Sequence, residues 1–447
     1  MLHGHFPEFF LRHIPPGSSG TFHTAYSTQD PATMNILHTS DWHLGHSLFG
    51  RRRHEEFRNF LSWLLELVRR ERVDVLLISG DVFDNAIPGN PAQTLYYDFL
   101  REVTSPEEGC RHVVIVAGNH DSPAFIDAPG ALLSAMHIHV TGRARTPEEE
   151  TLLLRSPDGQ AELIVSAIPF LRDRDLYRAC DGDDPEERES RMAAGMKDHY
   201  HRAAAQVRVL RAEHGDIPAV ATGHLFAAGG LTVPDDGVRD LRIGSLGQVT
   251  ADIFPDDFDY VALGHLHLPQ KVNGRENIRY SGSPLPMGFD EGSRPKEVCL
   301  LSVEGRNVSC RNIAVPVFQR LEKVEGDLPT LERRLEELSQ SEESIWTEVV
   351  HTGSEPVPDL RDRVEKYAGN GLEILRIRNM RTLAGGLDAD PAEEDLEELG
   401  VEEVFERRLR EAFPERDVTD PALEELRAVF REAEAAARRN EEDSCAF

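Results

Sequence analysis

Five apolar runs in this sequence each stop at aspartate, histidine or asparagine residues, which together have the chemical vocabulary of a metal centre. Ile36-Leu37-His38-Thr39-Ser40 runs into Asp41-Trp42-His43, and Val73-Asp74-Val75-Leu76-Leu77-Ile78-Ser79 into Gly80-Asp81-Val82-Phe83-Asp84. Val113-Val114-Ile115-Val116 runs into Ala117-Gly118-Asn119-His120-Asp121. Further on, Ala219-Val220-Ala221-Thr222 leads to Gly223-His224, and Tyr260-Val261-Ala262-Leu263 to Gly264-His265-Leu266-His267. Taken singly, Asn-His-Asp after a strand reads as an ordinary polar turn. Five such ends in one chain favour a shared site. Buried Asn, His and Asp are costly without partners, and ligands of open α/β sheets collect at the carboxyl ends of the strands.

Mixed carboxylate, imidazole and amide donors suit a borderline divalent ion such as Mn²⁺ better than Ca²⁺ or an all-thiolate zinc site. Two-metal hydrolases hold their ions about 3.5–4 Å apart, and one bridging carboxylate can span that gap. Asp81, from a central strand, is expected to be the bridge. Asp41, His43 and His267 are expected to complete one ion's shell, and Asn119, His224 and His265 the other's. Such a pair of ions acidifies a shared water and neutralises phosphate oxygens. His120, beside the ligand Asn119 and not needed as a ligand itself, is then placed to be the general acid for the departing alkoxide. Asp121 or a backbone carbonyl would orient its ring, and Asp84 is expected to support the ligands without binding an ion.

These residues need an alternation of strands and helices to bring them together. Phe57, Phe60, Leu61, Leu64, Leu65 and Val68 recur at helical spacing between the first two strands, and a second helix is expected over about Pro91 to Val103. Strand–helix–strand connections of this kind make neighbouring strands parallel. Arg51-Arg52-Arg53 reads as a basic loop. His54, His112, His137 and His139 lie off the strand ends and read as packing or surface residues. The acidic stretch from Asp181 to Arg191 is expected to be an exposed loop before a helix from Met192 to His214. The domain carrying the five strand ends is expected to span residues 34–312.

Residues 313–385 form a second, smaller α/β unit. Its expected strands are Arg320 to Val324, Ile345 to Val350 and Leu372 to Ile377, and its expected helices Leu328 to Leu338 and Pro358 to Tyr367. Residues 386–447 hold 21 acidic and 8 basic residues, a difference of −13. Leucines and valines at helical spacing make that tail a helix pair too short for a core of its own, expected to dock on a partner, the alternative for either helix being a charged, solvated helix folded back on the rest of the chain. Residues 1–33 read as a disordered polar extension, with translation expected to begin at Met34.

The whole chain has 447 residues and a formal net charge of −30. That balance excludes a protein that simply coats nucleic acid, which would be basic, and predicts weak DNA binding by the chain alone. No apolar run approaches the roughly 20 residues a membrane span requires. The five cysteines show no paired spacing, which points to a reducing compartment and hence the cytoplasm.

In order and content, Asp41-x-His43, Gly80-Asp81-x-x-Asp84, Gly118-Asn119-His120-Asp121, Gly223-His224 and Gly264-His265-x-His267 resemble the signature of the calcineurin-like metallophosphoesterases. Within that superfamily, His38-Thr39-Ser40-Asp41-Trp42-His43-Leu44-Gly45 and Tyr280-Ser281-Gly282-Ser283-Pro284 look like the bacterial SbcD nucleases. The likeness spans Met34 to Met380. It implies an α/β sandwich of mixed sheets flanked by helices, followed by a DNA-guiding capping domain at 313–385. It also implies a Mn²⁺-dependent double-strand 3′–5′ exonuclease and single-strand endonuclease that opens hairpins. The expected partners are an SbcC-type ATPase, bound by the C-terminal helices, a second copy of the nuclease domain, and DNA. Two rivals use the same residues. A phosphoesterase for small diesters would need neither capping unit nor docking tail, and a non-enzymatic scaffold would be expected to have lost ligands, of which none is missing.

Overall fold

The computed structural model describes residues 33–105, 109–176, 185–227, 250–354 and 357–380. The N-terminal extension and the acidic tail expected from the sequence lie outside the described residues, as do residues 181–184 of the acidic stretch at 181–191.

Two six-stranded sheets face each other. The first is ordered Asn307–Ala314, Glu297–Glu304, Met34–Thr39, Val75–Ser79, His112–Val116 and Ile138–Thr141. Its last four strands are mutually parallel, and the first two join as an antiparallel hairpin. The second is ordered Gln270–Lys271, Ile278–Tyr280, Tyr260–Gly264, Ala219–His224, Ala161–Ser166 and Thr151–Arg155. Its four inner strands run parallel, and both edge strands are antiparallel.

The near-continuous apolar runs follow from burial on both faces. In the first sheet, Ile36, Val75, Leu77, Val114 and Val116 point between the sheets, where they meet Leu163, Val165, Val220 and Ala262 of the second. Leu37, Leu76, Ile78, Val113 and Ile115 point the other way, onto Phe57, Phe60, Leu64 and Phe99 of the helices His54–Arg70 and Asn90–Val103. On the outer face of the second sheet, Ile164, Ala221 and Leu263 pack against Met196, Tyr200, Ala203 and Val207 of the helix Pro185–His214. Helix, sheet, sheet, helix is therefore the layer order, and one-residue alternation in each strand sets it.

That last helix corrects the sequence reading, which began it at Met192. The helix starts at Pro185. Proline fits the first helical position and glutamates favour the first turn, so Pro185-Glu186-Glu187 opens a helix where polarity alone suggested a loop.

The small unit is a parallel three-stranded sheet, Arg320–Gly326, Ile345–His351 and Leu372–Asn379. The helices Leu328–Ser339 and Leu360–Glu365 cover it, around Val324, Leu331, Leu335, Val349 and Val364. It touches the larger domain through Leu321 and Trp346, which pack with Leu48 and Phe289. The basic loop divides. Arg51 and Arg52 are exposed and pair with Ser47–Leu48 in a short antiparallel hairpin. Arg53 is buried and bonds Glu56 through two nitrogens at 2.8 and 2.9 Å and the Pro286 carbonyl at 2.7 Å. No helix among the described residues is long and apolar enough to cross a membrane.

Candidate metal centre

Three adjacent strands of the first sheet and two of the second end side by side, and the five polar segments meet there. Past the strand Met34–Thr39 the chain stays bonded to its neighbour: the Asp41 amide donates to the Gly80 carbonyl at 3.0 Å and the His43 amide to the Asp81 carbonyl at 3.0 Å. Holding this register bends the backbone into left-handed conformations that side-chain-bearing residues rarely adopt. Asp41, His43, Asp81 and His265 have φ of 53°, 47°, 50° and 100°. Each such residue stores on the order of 1–3 kcal/mol, and strain of this kind gathers at functional sites. Glycine is required where segments press together. A Cβ on Gly118 would lie 2.1 Å from Asp81 Oδ1, and one on Gly264 would lie 2.0 Å from the Ser79 carbonyl oxygen.

All seven expected ligands converge. Asp41, His43 and His267 offer atoms within 4.8 Å of one another, as do Asp41, Asp81 and His224. Asp81 stands between the groups, with Oδ2 3.2 Å from His224 Nε2 and 3.7 Å from His43 Nε2. His43 Nε2 and His267 Nε2 face each other at 3.2 Å. On the other side, Asn119 Oδ1 lies 3.0 Å from His224 Nε2 and 3.2 Å from His265 Nδ1. The far edge of the His224 ring is fixed, its Nδ1 donating to the Ser79 carbonyl at 2.9 Å. Two buried carboxylates, an amide oxygen and four imidazoles around one space are a donor set that fits a pair of divalent cations.

The residues expected to support the ligands lie beside the cluster. His120 Nδ1 donates to the Asp84 carbonyl at 2.9 Å, and its ring meets that of His43 edge-on with centroids 4.9 Å apart. His120 lies against the cluster, its ring nitrogen within 4.8 Å of ligand atoms on His43 and Asp81. Of the two orienting groups the sequence allowed, the backbone carbonyl is the one in contact. Asp121 instead accepts the amides of Val82 at 3.1 Å, Phe83 at 2.9 Å and Gly118 at 2.9 Å, tying two ligand-bearing turns together. The Asp84 carboxylate bonds His46 Nδ1 at 2.9 Å and stands 3.7 Å from His43 Nδ1.

Electrostatics divide the cluster. Burial would raise Asp81, but the surrounding histidines, His224 first, hold its carboxyl well below the usual range. Burial pushes Asp41 up despite His224 and His267. Burial alone would lower His224, yet the Asp81 charge and hydrogen bond raise it to about 9. His265, buried beside the cationic His224, falls to about 3, and burial takes His43 well below its ordinary value. His43 and His265 are thus held neutral beside the ionised Asp81, as metal ligands must be, whereas His224, His267 (raised by Glu291) and Asp41 favour their protons and would give them up to an ion.

Sequence reasoning missed His46, Glu291 and Lys296. Glu291 is fully buried, with Oε1 3.5 Å from His267 Nδ1, and its second oxygen pairs with the buried Lys296. Glu291 ends a one-turn helix and Lys296 lies in irregular chain, both between strands, where no periodicity marks them. A glutamate and a lysine five residues apart in a loop carry no signal at that level.

Comparison with known proteins places the chain in a family. The calcineurin-like phosphoesterase profile matches residues 34–269, and the "Type 5 capsule protein repressor C-terminal domain" profile of SbcD matches residues 317–413. The SbcD subunit of the nuclease SbcCD from Escherichia coli (strain K12) is 36% identical over 381 residues, covering 84% of this chain and 92% of its own. Its namesake from Rhodobacter capsulatus is 36% identical over 289 residues, covering 63% and 69%. That from Bacillus subtilis is 33% identical over 279 residues, covering 61% and 66%. The chain belongs to the calcineurin-like phosphoesterase family and, within it, to the SbcD family.

Proposed function

We propose that this chain is a metal-dependent nuclease that hydrolyses DNA phosphodiesters, acting as a 3′–5′ exonuclease on duplex ends and an endonuclease on single strands and hairpins. The observation that carries the reading is Asp81, set within 3.2 and 3.7 Å of histidines from both halves of the cluster. Asp41, His43 and His267 with Asp81 would hold one ion, and Asn119, His224 and His265 with Asp81 the other. Mn²⁺ suits these donors. The ions would supply acidification of water and neutralisation of the phosphate oxygens.

The chain's own residues do the rest. Attack of water on phosphorus breaks the bond to the departing oxygen, which needs a proton. His120 has Nδ1 committed to the Asp84 carbonyl, so its Nε2 is the edge that delivers one. Asp121 keeps the His120 and Asp81 turns in register and does not itself transfer a proton. The unit at 313–385 would guide DNA across the strand ends. The tail at 386–447 would dock on an SbcC-type ATPase, and a second copy of the nuclease domain would complete the assembly. With a net charge of −30, the chain would draw most of its DNA affinity from that ATPase.

The test is cleavage of a hairpin-ended duplex with Mn²⁺, together with Mn²⁺ titration calorimetry. His120→Ala is expected to keep Mn²⁺ and lose roughly 10²–10⁴-fold in rate. Asp81→Ala should lose both metal and cleavage. Unaltered cleavage by His120→Ala would remove its role as proton donor, and hydrolysis of small diesters but never DNA would favour the small-substrate phosphoesterase.

A further inference from the structure

His267 presents one ring edge to the cluster and the other to a carboxylate. Its Nε2 faces His43 Nε2 at 3.2 Å, while Nδ1 is 3.5 Å from Glu291 Oε1. Glu291 Oε1 is buried and takes no hydrogen bond at ordinary distance. The other oxygen accepts the Met287 amide at 3.1 Å and pairs with Lys296. Lys296, itself buried, also donates to Ser283 Oγ at 2.8 Å and to the His267 carbonyl at 3.2 Å. One carboxylate oxygen is thus fully committed, and the other is aimed at the ring.

The turn that carries Glu291 is fixed independently of this pair. Glu291 ends the one-turn segment Phe289–Glu291. Phe289 packs with Leu48, Leu321 and Trp346, and Asp290 bonds Lys323 at 2.7 Å. Gly292 follows so closely on the small unit that a Cβ there would lie 2.6 Å from the Leu321 carbonyl oxygen. Substituting residue 291 therefore leaves the turn anchored on both sides.

An imidazole that binds metal through one nitrogen commonly donates the other N–H to a carboxylate, which fixes tautomer and ring orientation. We propose that Glu291, anchored by Lys296, is the positioning residue for His267: it accepts the Nδ1 proton and so turns Nε2 toward the ion shared with Asp41 and His43. This rests on the metal reading given above. A purely structural ion pair would share the burial and the lysine but have no hold on metal binding.

Two double variants separate the roles, because both remove the buried charges together and strand neither. Glu291→Gln/Lys296→Met keeps an oxygen that can accept from Nδ1, whereas Glu291→Leu/Lys296→Met does not. Mn²⁺ titration of the full chain should show two equivalents for the unaltered protein and for the glutamine variant. The leucine variant should bind one equivalent about 10–100-fold more weakly and leave the other unchanged. Histidine-selective ¹⁵N spectra of the unaltered chain with Mg²⁺ need no variant to fold. They should show a His267 Nδ1 proton shifted far downfield and slow to exchange, and a freely exchanging proton there overturns the proposal. Parental affinity for both equivalents in the leucine variant overturns it as well and spares the metal reading. An unaltered chain that binds no Mn²⁺ refutes that reading, and this inference with it.

Discussion

Gly118→Ala tests whether the strand ends are placed as closely as the chemistry needs. The added methyl would lie 2.1 Å from Asp81 Oδ1 and 2.4 Å from the Asp81 backbone nitrogen. Ordinary contact begins near 3.4 Å, so the Asp81 backbone nitrogen alone requires the two turns to part by about 1 Å. Backbone nitrogen blocks a simple rotation of the Asp81 side chain, so the turn itself has to move. Overpacking of this size costs about 1–3 kcal/mol, which a domain with two sheets and three packed helices should survive. Catalysis should not, since a displacement of about 1 Å can lower a rate about 10²-fold. The expected result is a folded protein whose Mn²⁺-dependent hydrolysis of bis(p-nitrophenyl) phosphate falls about 10²-fold or more, with weakened binding of both Mn²⁺ equivalents. That substrate keeps the outcome independent of how DNA is held. Parental turnover and parental Mn²⁺ affinity would show that Asp81 does not bridge the site at this position.

Two further outcomes probe the scaffold. Glu56→Ala strands the buried Arg53 guanidinium and should cost about 3–5 kcal/mol in urea denaturation, while Glu56→Leu/Arg53→Met should lose much less; a single variant within about 1 kcal/mol of the parent would show that the pair is not desolvated. His139, pushed down to about 4 by burial and by His112 and His137, refuses a proton that an unfolded histidine near 6.5 accepts. The stability it contributes is therefore present above pH 6.5 and lost as pH falls toward 4. His139→Gln should flatten that limb of the pH–stability curve, and an unchanged slope would place the acid sensitivity elsewhere.

The strand ends were legible in the sequence because two unlike signals coincide there: an apolar run that fits a doubly buried strand, then polar residues of metal-ligand type, which the fold brings together. The small unit was legible for a similar reason, since Leu328–Ser339 and its flanking strands keep clean periods. The start of the helix Pro185–His214 was not, because its first turns are acidic and carry no apolar stripe to reveal the period. Arg53 was hidden for another reason. Three consecutive arginines share one composition, yet only the fold decides that the third turns inward onto Glu56. Glu291 and Lys296 were beyond reach because their meaning depends on His267, whose ring they meet only in three dimensions.

The candidate ligands are divided unevenly along the chain. Asp41, His43, Asp81 and Asn119 follow strands of the first sheet, whereas His224, His265 and His267 come from the second, more than a hundred residues later. A ribosome that has released the first two hundred residues has made every acidic donor and none of these later imidazoles. The nascent or truncated product would therefore lack three of the seven candidate ligands, His224, His265 and His267. On the proposed ligand set, metal-dependent cleavage would arrive only with the finished fold, and the order of synthesis would itself keep an incomplete nuclease from cutting.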